Sequence, residues 1–296
     1  MNRGIVYALS SYLLWGFLPI YWKFLTGLPA LETTAHRIVW SAVFAGLILA
    51  AKNHWSWITP AIRRPQIIIG VTLAAILILF NWLIYIVAVN TNRIVESSLG
   101  YYMNPLVNVL LAVTFLRERP RLGQWLAIGL AAAGVLYMTI TYGRLHWIAL
   151  SLAFSFAFYA LTKKRANLPA LEGLFLEMMV LAVPLGAYLI YLEATGQGSF
   201  AHLGIRTTVL LTLAGVVTGL PLLAFSAGAK QVPLTVLGLL QYVAPTIQFM
   251  IGIWLYREPF STNQLIGFAF IWTALLLYSL EGVMERRRLF LALRPH

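Results

Sequence analysis

LPALE stands at Leu28–Glu32 and again at Leu168–Glu172, 140 residues further on. The same offset pairs Pro105 with Pro245, Arg117-Glu118 with Arg257-Glu258, and Gln124 with Gln264. Matches at one fixed spacing over roughly a hundred residues mark an internal duplication. Around them lie ten apolar runs of about 20 residues, the length that crosses a bilayer. They fall near 4–25, 32–51, 66–89, 95–116, 121–142, 145–162, 171–193, 207–229, 233–255 and 262–284. Each copy therefore holds five runs, and the expected fold is an all-α membrane protein of ten helices. The expected division is 1–143 for the first copy, 144–285 for the second and 286–296 for a basic tail.

Composition agrees with this class. Hydrophobic residues make up 60% of the chain and charged residues 10%, with mean hydropathy +0.82. A soluble domain has about 25% charged residues. Cys is absent, which excludes disulfides, thiolate metal sites and cysteine nucleophiles; Asp is absent too, so all nine acids are Glu. The net charge of +12 would suit nucleic acid, but the basic residues cluster in short links between apolar runs. That pattern belongs to loops held on the cytoplasmic side, and no nucleic-acid partner is expected. The first run is too long for a signal-peptide core and is read as a retained helix.

Orientation follows from the Lys and Arg distribution. With the N-terminus inside, the cytoplasmic face receives Arg3, Lys52, Arg63, Arg64, Arg117, Arg119, Arg121, Lys163, Lys164, Arg165, Lys230, Arg286, Arg287, Arg288 and Arg294, fifteen in all. The outer face receives five: Lys23, Arg93, Arg144, Arg206 and Arg257. Both termini are expected in the cytoplasm. Five spans per copy is an odd number, so the second copy enters the membrane upside down. Such inverted repeats build many transporters, with the site where the halves meet.

Several polar residues stand where hydrocarbon offers them no partner. In span four, Ser97, Tyr101, Asn104 and Asn108 share one helical face. In span nine, Gly238, Gln241, Pro245 and Gln248 form a similar stripe beside Tyr242. The offset aligns Tyr101 with Gln241 and Asn108 with Gln248. Paired stripes of this kind line a cavity, although polar contacts between helices explain each stripe alone. Trp15 in span one and Asn81 with Tyr85 in span three complete the candidate substrate-binding set; packing is the plain alternative for each aromatic. Pro105 and Pro245 remove a backbone donor inside their spans and are candidate kinks. Among the charged residues within spans, His36, Arg37 and Glu177 lie about a turn or more inside, and Glu96 opens span four at the level of Arg37. An Arg37–Glu96 pair is expected. Arg37 and Glu177 coincide at the 140 offset and are candidate gates, against the alternative of a static pair and a snorkelling glutamate. His36 and the glutamates are candidate proton-coupling groups. GVVTG, Gly215–Gly219, has the small-xxx-small form that lets helices approach closely. No phosphate-binding loop, metal-ligand spacing or paired nucleophile is present, so no catalytic residue, metal or cofactor is expected.

These residues also carry a resemblance. AHRIVWS (Ala35–Ser41), NWLIYIVAVN (Asn81–Asn90), ESSLGYYMNPL (Glu96–Leu106), FLRERP (Phe115–Pro120), ALSLAFSFAFYAL (Ala149–Leu161) and GLLQYVAPTIQF (Gly238–Phe249) resemble the EamA family of the drug/metabolite transporter superfamily, and within it the RarD-type permeases. The resemblance implies ten helices in two EamA repeats, an inner bacterial membrane and a central cavity walled by spans three, four, eight and nine. The functional expectation is a secondary transporter working by alternating access. Its partners are membrane lipid and a small organic metabolite, amino-acid-like compound or drug-like solute, moved outward; a homodimer stays open. The alternative is a non-transporting structural or lipid-modifying membrane protein.

Overall fold

The computed structural model describes residues 3–116, 121–143, 145–166, 168–229, 231 and 240–292. Expectations resting on Arg117-Glu118, Arg119, Arg144, Lys230, residues 233–239 with Gly238, and Arg294 lie outside them. So do the side chains of Lys164, Arg165 and Arg286–Arg288. Among the described residues there are helices and no strands: α1 (Arg3–Lys23), α2 (Ala30–Ala51), α3 (Ile58–Ile62), α4 (Pro65–Asn90), α5 (Ile94–Leu116), α6 (Leu122–Tyr142), α7 (Trp147–Ala166), α8 (Ala170–Ala194), α9 (Ile205–Ala229), α10 (Val243–Met250) and α11 (Thr262–Ala292). Helices α1, α2, α4, α6, α8, α9 and α11 are long and apolar enough to cross a bilayer, with shorter apolar helices at Trp147–Lys163 and Val243–Leu255. Leu47, Ile69, Val183 and Ile190 lie strongly exposed on outward faces. Water rarely meets so much apolar surface, whereas lipid does.

The duplication is visible in helix starts. Helices α2 and α8 begin at Ala30 and Ala170, α4 and α9 at Pro65 and Ile205, and α6 and α11 at Leu122 and Thr262, each pair 140 residues apart. LPALE is a helix entry. Pro29 and Pro169 sit at the N-caps with φ of −55° and −57°, the value a proline ring imposes. Glu32 and Glu172 follow in the first turn, where the helix dipole favours negative charge. Both glutamates also reach across the bundle. The Glu32 carboxylate accepts bonds from the Ser199 N–H (2.6 Å) and hydroxyl (3.0 Å), beyond the end of α8. Glu172 Oε1 lies 3.0 Å from His54 Nε2, beyond the end of α2. Helix α2 thus clasps the loop leaving α8, and α8 clasps the loop leaving α2. Gln124 and Gln264 match for a similar reason: each accepts the backbone N–H three residues earlier, Arg121 and Ser261, at 2.9 Å.

The principal packing joins one copy to the other. Helix α4 packs on α7 as α1 packs on α9, and α5 packs on α7 as α1 packs on α10; α2–α8, α5–α10 and α6–α11 pair with their own counterparts. Helices α2 and α9 approach closely. Gly215 sets the α9 backbone against the Trp40–Ser41 peptide, and Gly219 lies under the Phe44 ring. The close-packing expectation for GVVTG is thus met at both glycines.

Three details depart from the span boundaries expected from hydropathy. The link between residues 51 and 65 holds the short helix α3, and α11 continues to Ala292, past residue 284. In the ninth span, α10 gives way to a π-helical turn at Ile251–Leu255. A hydropathy run records how apolar a stretch is, not where its hydrogen-bond pattern changes.

Candidate functional site

About two turns into α2, Arg37 is buried at 3% exposure. Its guanidinium carbon lies 3.9 Å from the ring centroid of Trp82 on α4 and 4.9 Å from that of Trp22 on α1. Arg37 Nε donates to Thr218 Oγ1 on α9 at 3.0 Å. Four helices therefore converge on one cation. Tyr85 and Tyr101 lie in the same neighbourhood, and their rings stand edge to face at 5.9 Å. Beside Arg37, the buried His36 ring stacks on Phe200 at 5.1 Å.

The expected Arg37–Glu96 pair does not form. Glu96 Oε2 is held by Arg93, 2.5 Å from one terminal nitrogen and 2.9 Å from Nε. Its other oxygen accepts the Ile148 N–H at 3.2 Å. Arg93 lies three residues earlier on the same turn, so it reaches Glu96 without bridging two helices. Arg37 faces the aromatic interior instead.

At the repeat position of Arg37 stands Glu177, 2% exposed. It is fully partnered. Lys163 Nζ lies 3.1 Å from Oε1 and 3.2 Å from Oε2, and the Tyr159 hydroxyl donates to Oε2 at 3.0 Å. Lys163 also donates to the Tyr159 oxygen at 2.8 Å. Tyr159 and Lys163 are one turn apart on α7, which puts both on the face that meets α8. The two gate candidates thus differ: the glutamate has its cation, and the arginine has no carboxylate among the described residues.

The other candidate residues divide by what they touch. Asn81 Nδ2 donates to the Leu152 carbonyl (3.0 Å) and the Ser155 hydroxyl (2.9 Å), fastening α4 to α7. Gln248 Nε2 donates to the Trp15 carbonyl at 3.0 Å. That carbonyl is spare because Pro19, four residues on, has no N–H to offer it. The Trp15 ring packs against Tyr12 and Phe225, each at 5.7 Å. Asn104 is buried with its Oδ1 unpartnered among the described residues, while Asn108 is exposed. Pro105 sits inside an unbroken α5. Pro245 lies in the first turn of α10, just after a turn at Gln241-Tyr242; its ring would crowd the Gln241 carbonyl if the helix ran straight through. A cleft of about 460 Å³ opens between α5, α10 and α11, walled by Tyr102, Tyr242, Thr246, Phe249 and Trp272. It includes only Tyr242 of the expected cavity set.

Outside the spans, Glu258 accepts the N–H groups of Ile94 (2.7 Å) and Val95 (2.8 Å), capping α5. Burial pushes its carboxyl above the usual range, against the pull of those two N–H groups and Lys23. Reading the sequence missed Trp22, Thr218 and Lys163. Thr218 lay within GVVTG, and Lys163 was counted only as a loop charge; neither carries a mark that names its partner helix.

Comparison with known proteins matches residues 2–140 and 144–280 separately to the EamA-like transporter family. The chain is 45% identical to the uncharacterized transporter YojE of Bacillus subtilis (strain 168) over 290 residues, covering 97% of this chain and 96% of that protein. It is 41% identical to protein RarD of Escherichia coli (strain K12), covering 97% of each. A solved crystal structure shares the fold at a TM-score of 0.61 and 18% identity, over 97% of this chain and 98% of that one.

Proposed function

The chain belongs to the EamA-like transporter family, as a multi-pass protein of the bacterial inner membrane, and from that premise we propose a secondary transporter that exports a small organic metabolite, amino-acid-like compound or drug-like solute by alternating access. The reading takes ten spans in two inverted repeats, with both termini in the cytoplasm. One observation carries it. The principal helix contacts run between the copies and occur in exchanged pairs, α4–α7 with α9–α1 and α5–α7 with α10–α1. Two packed halves related in this way can rock about their shared interface and open a site there to either side. Trp15, Tyr85, Tyr101, Asn104 and Gln241 would line that site, with Arg37 near the outer end and Glu177 near the inner end as gates. His36 is the proton-coupling candidate in this scheme. Asn81 and Gln248 serve the same interface as fasteners between helices.

The test is flux into proteoliposomes loaded with a metabolite mixture. Saturable exchange that falls in Asn104→Ala and Gln241→Ala, with both variants folded, supports the reading. Equal flux in protein-free liposomes would sink it.

A further inference from the structure

Three buried hydrogen-bond donors around Arg37 have no partner among the described residues: Arg37 Nη1, the Trp22 indole N–H and the Tyr85 hydroxyl. A guanidinium offers five N–H donors, and Arg37 spends one, on Thr218. The cation–π contacts to Trp22 and Trp82 stabilise the charge without consuming N–H groups. Indole and guanidinium donate and cannot accept, so what satisfies this cluster must bring acceptors. An isolated buried cation is costly, and it persists where a counter-charge is available.

The second copy shows that the fold can supply that counter-charge from its own chain. Glu177 stands at the repeat position of Arg37 and is paired with Lys163 of α7, the helix that answers α1. The 140 offset sets Lys163 against Lys23, which instead donates to the Val89 carbonyl. In the first copy the α1 side chain that meets Arg37 is Trp22, and no carboxylate of the described residues reaches the arginine. Resting on the transporter reading for its physiological sense, we propose that Arg37 is the receptor for the carboxylate of an organic-anion substrate, with Tyr85 and Trp22 as further donors. The guanidinium fork matches a carboxylate through two parallel bonds. The indole walls favour an anion with an apolar body over a hydrated inorganic one. The gate residue thus recognises the substrate that passes it.

The test is calorimetric titration of the purified full chain in detergent with benzoate, indoleacetate and succinate, set against benzamide, benzylammonium, phosphate and sulfate. At least one carboxylate binds saturably, and benzamide, the neutral isostere of benzoate, binds far more weakly. Arg37→Gln weakens the carboxylate by roughly tenfold or more, the worth of one hydrogen bond to a charged group. Arg37→Lys loses less. Tyr85→Phe, which keeps the ring and removes one donor, weakens binding several-fold and serves if Arg37→Gln fails to fold. The proposal is overturned by no saturable carboxylate binding at 10 mM, by benzamide or an inorganic anion binding as tightly as the carboxylates, or by unchanged affinity in either Arg37→Gln or Tyr85→Phe. The transporter reading fails separately. Carboxylate binding without proteoliposome flux refutes transport and leaves the receptor standing; flux with a KM indifferent to Arg37→Gln refutes the receptor and leaves transport standing.

Discussion

Gly215→Ala adds one methyl group where the α9 backbone lies directly against that of α2. A Cβ there would stand 2.9 Å from Ser41 N and nearer still to the Trp40 carbonyl. Carbon contacts settle at about 3.5–4.0 Å, so clearing Ser41 N alone takes about 0.6 Å of withdrawal of α9 from α2, and clearing the nearer Trp40 carbonyl takes more. The obstacles are backbone atoms, which cannot rotate aside as a side chain would. Overpacking of this kind costs about 1–3 kcal/mol. The better helix propensity of Ala returns up to about 1 kcal/mol, which leaves a net loss at most of that range. At about 2–4 °C per kcal/mol for chains of this order of size, the apparent melting midpoint should drop, by up to about 12 °C. Along the Arg37–Thr218 bond the same withdrawal would lengthen 3.0 Å past about 3.6 Å, beyond hydrogen-bonding range. The assay is thermal unfolding in detergent at a fixed scan rate, with Gly186→Ala as control because a Cβ there meets nothing within 4 Å. Gly186→Ala should melt with the wild type or slightly above it. If Gly215→Ala melts there too, the close approach of α2 and α9 is not what the structure describes.

Lys163→Met leaves Glu177 buried without its cation and should cost about 3–5 kcal/mol; adding Glu177→Gln should restore most of the lost melting temperature, and a double variant as unstable as the single one contradicts the pairing. Asn81→Leu removes two bonds between α4 and α7 and should lower stability by about 1–3 kcal/mol with KM little changed; a large KM effect at unchanged stability would instead place Asn81 in the substrate path. Because burial raises Glu258 above its ordinary 4.5, the folded chain takes up that proton at a higher pH than the unfolded chain does. The resulting stabilisation is complete below pH 4.5 and is lost as pH rises through the raised value. The melting difference between wild type and Glu258→Gln should therefore shift across that window, and a difference flat from pH 4 to 8 contradicts the assignment.

What the sequence made legible depended on whether a residue works locally. Gln124 and Gln264 keep the 140 spacing because each closes the first turn of its own helix, and that demand recurs wherever the unit is copied. Glu32 and Glu172 keep it because each copy clasps the other's loop. Hydrophobic period and length revealed the helices for the same reason: crossing lipid constrains every span alike. The π-helical turn after α10 left no such trace, since it changes the hydrogen-bond pattern of an apolar run without changing its composition.

Partner choice was the hidden part. Arg37 and Glu96 share a level along their helices, which made a pair plausible, but level says nothing about rotation about each helix axis. Arg93 had the shorter reach to Glu96, and Arg37 turned to Trp22 and Trp82. The repeat itself then supplies what pairwise guessing lacked. Where two copies share a backbone, a position that is charge-matched in one and unmatched in the other has been freed from the common structural demand. Lys163–Glu177 meets that demand within the chain, whereas Trp22–Arg37 leaves a cation whose remaining donors require an acceptor from elsewhere. Symmetry explains how the halves pack; its breach at Arg37 is where selectivity between one solute and another has room to arise.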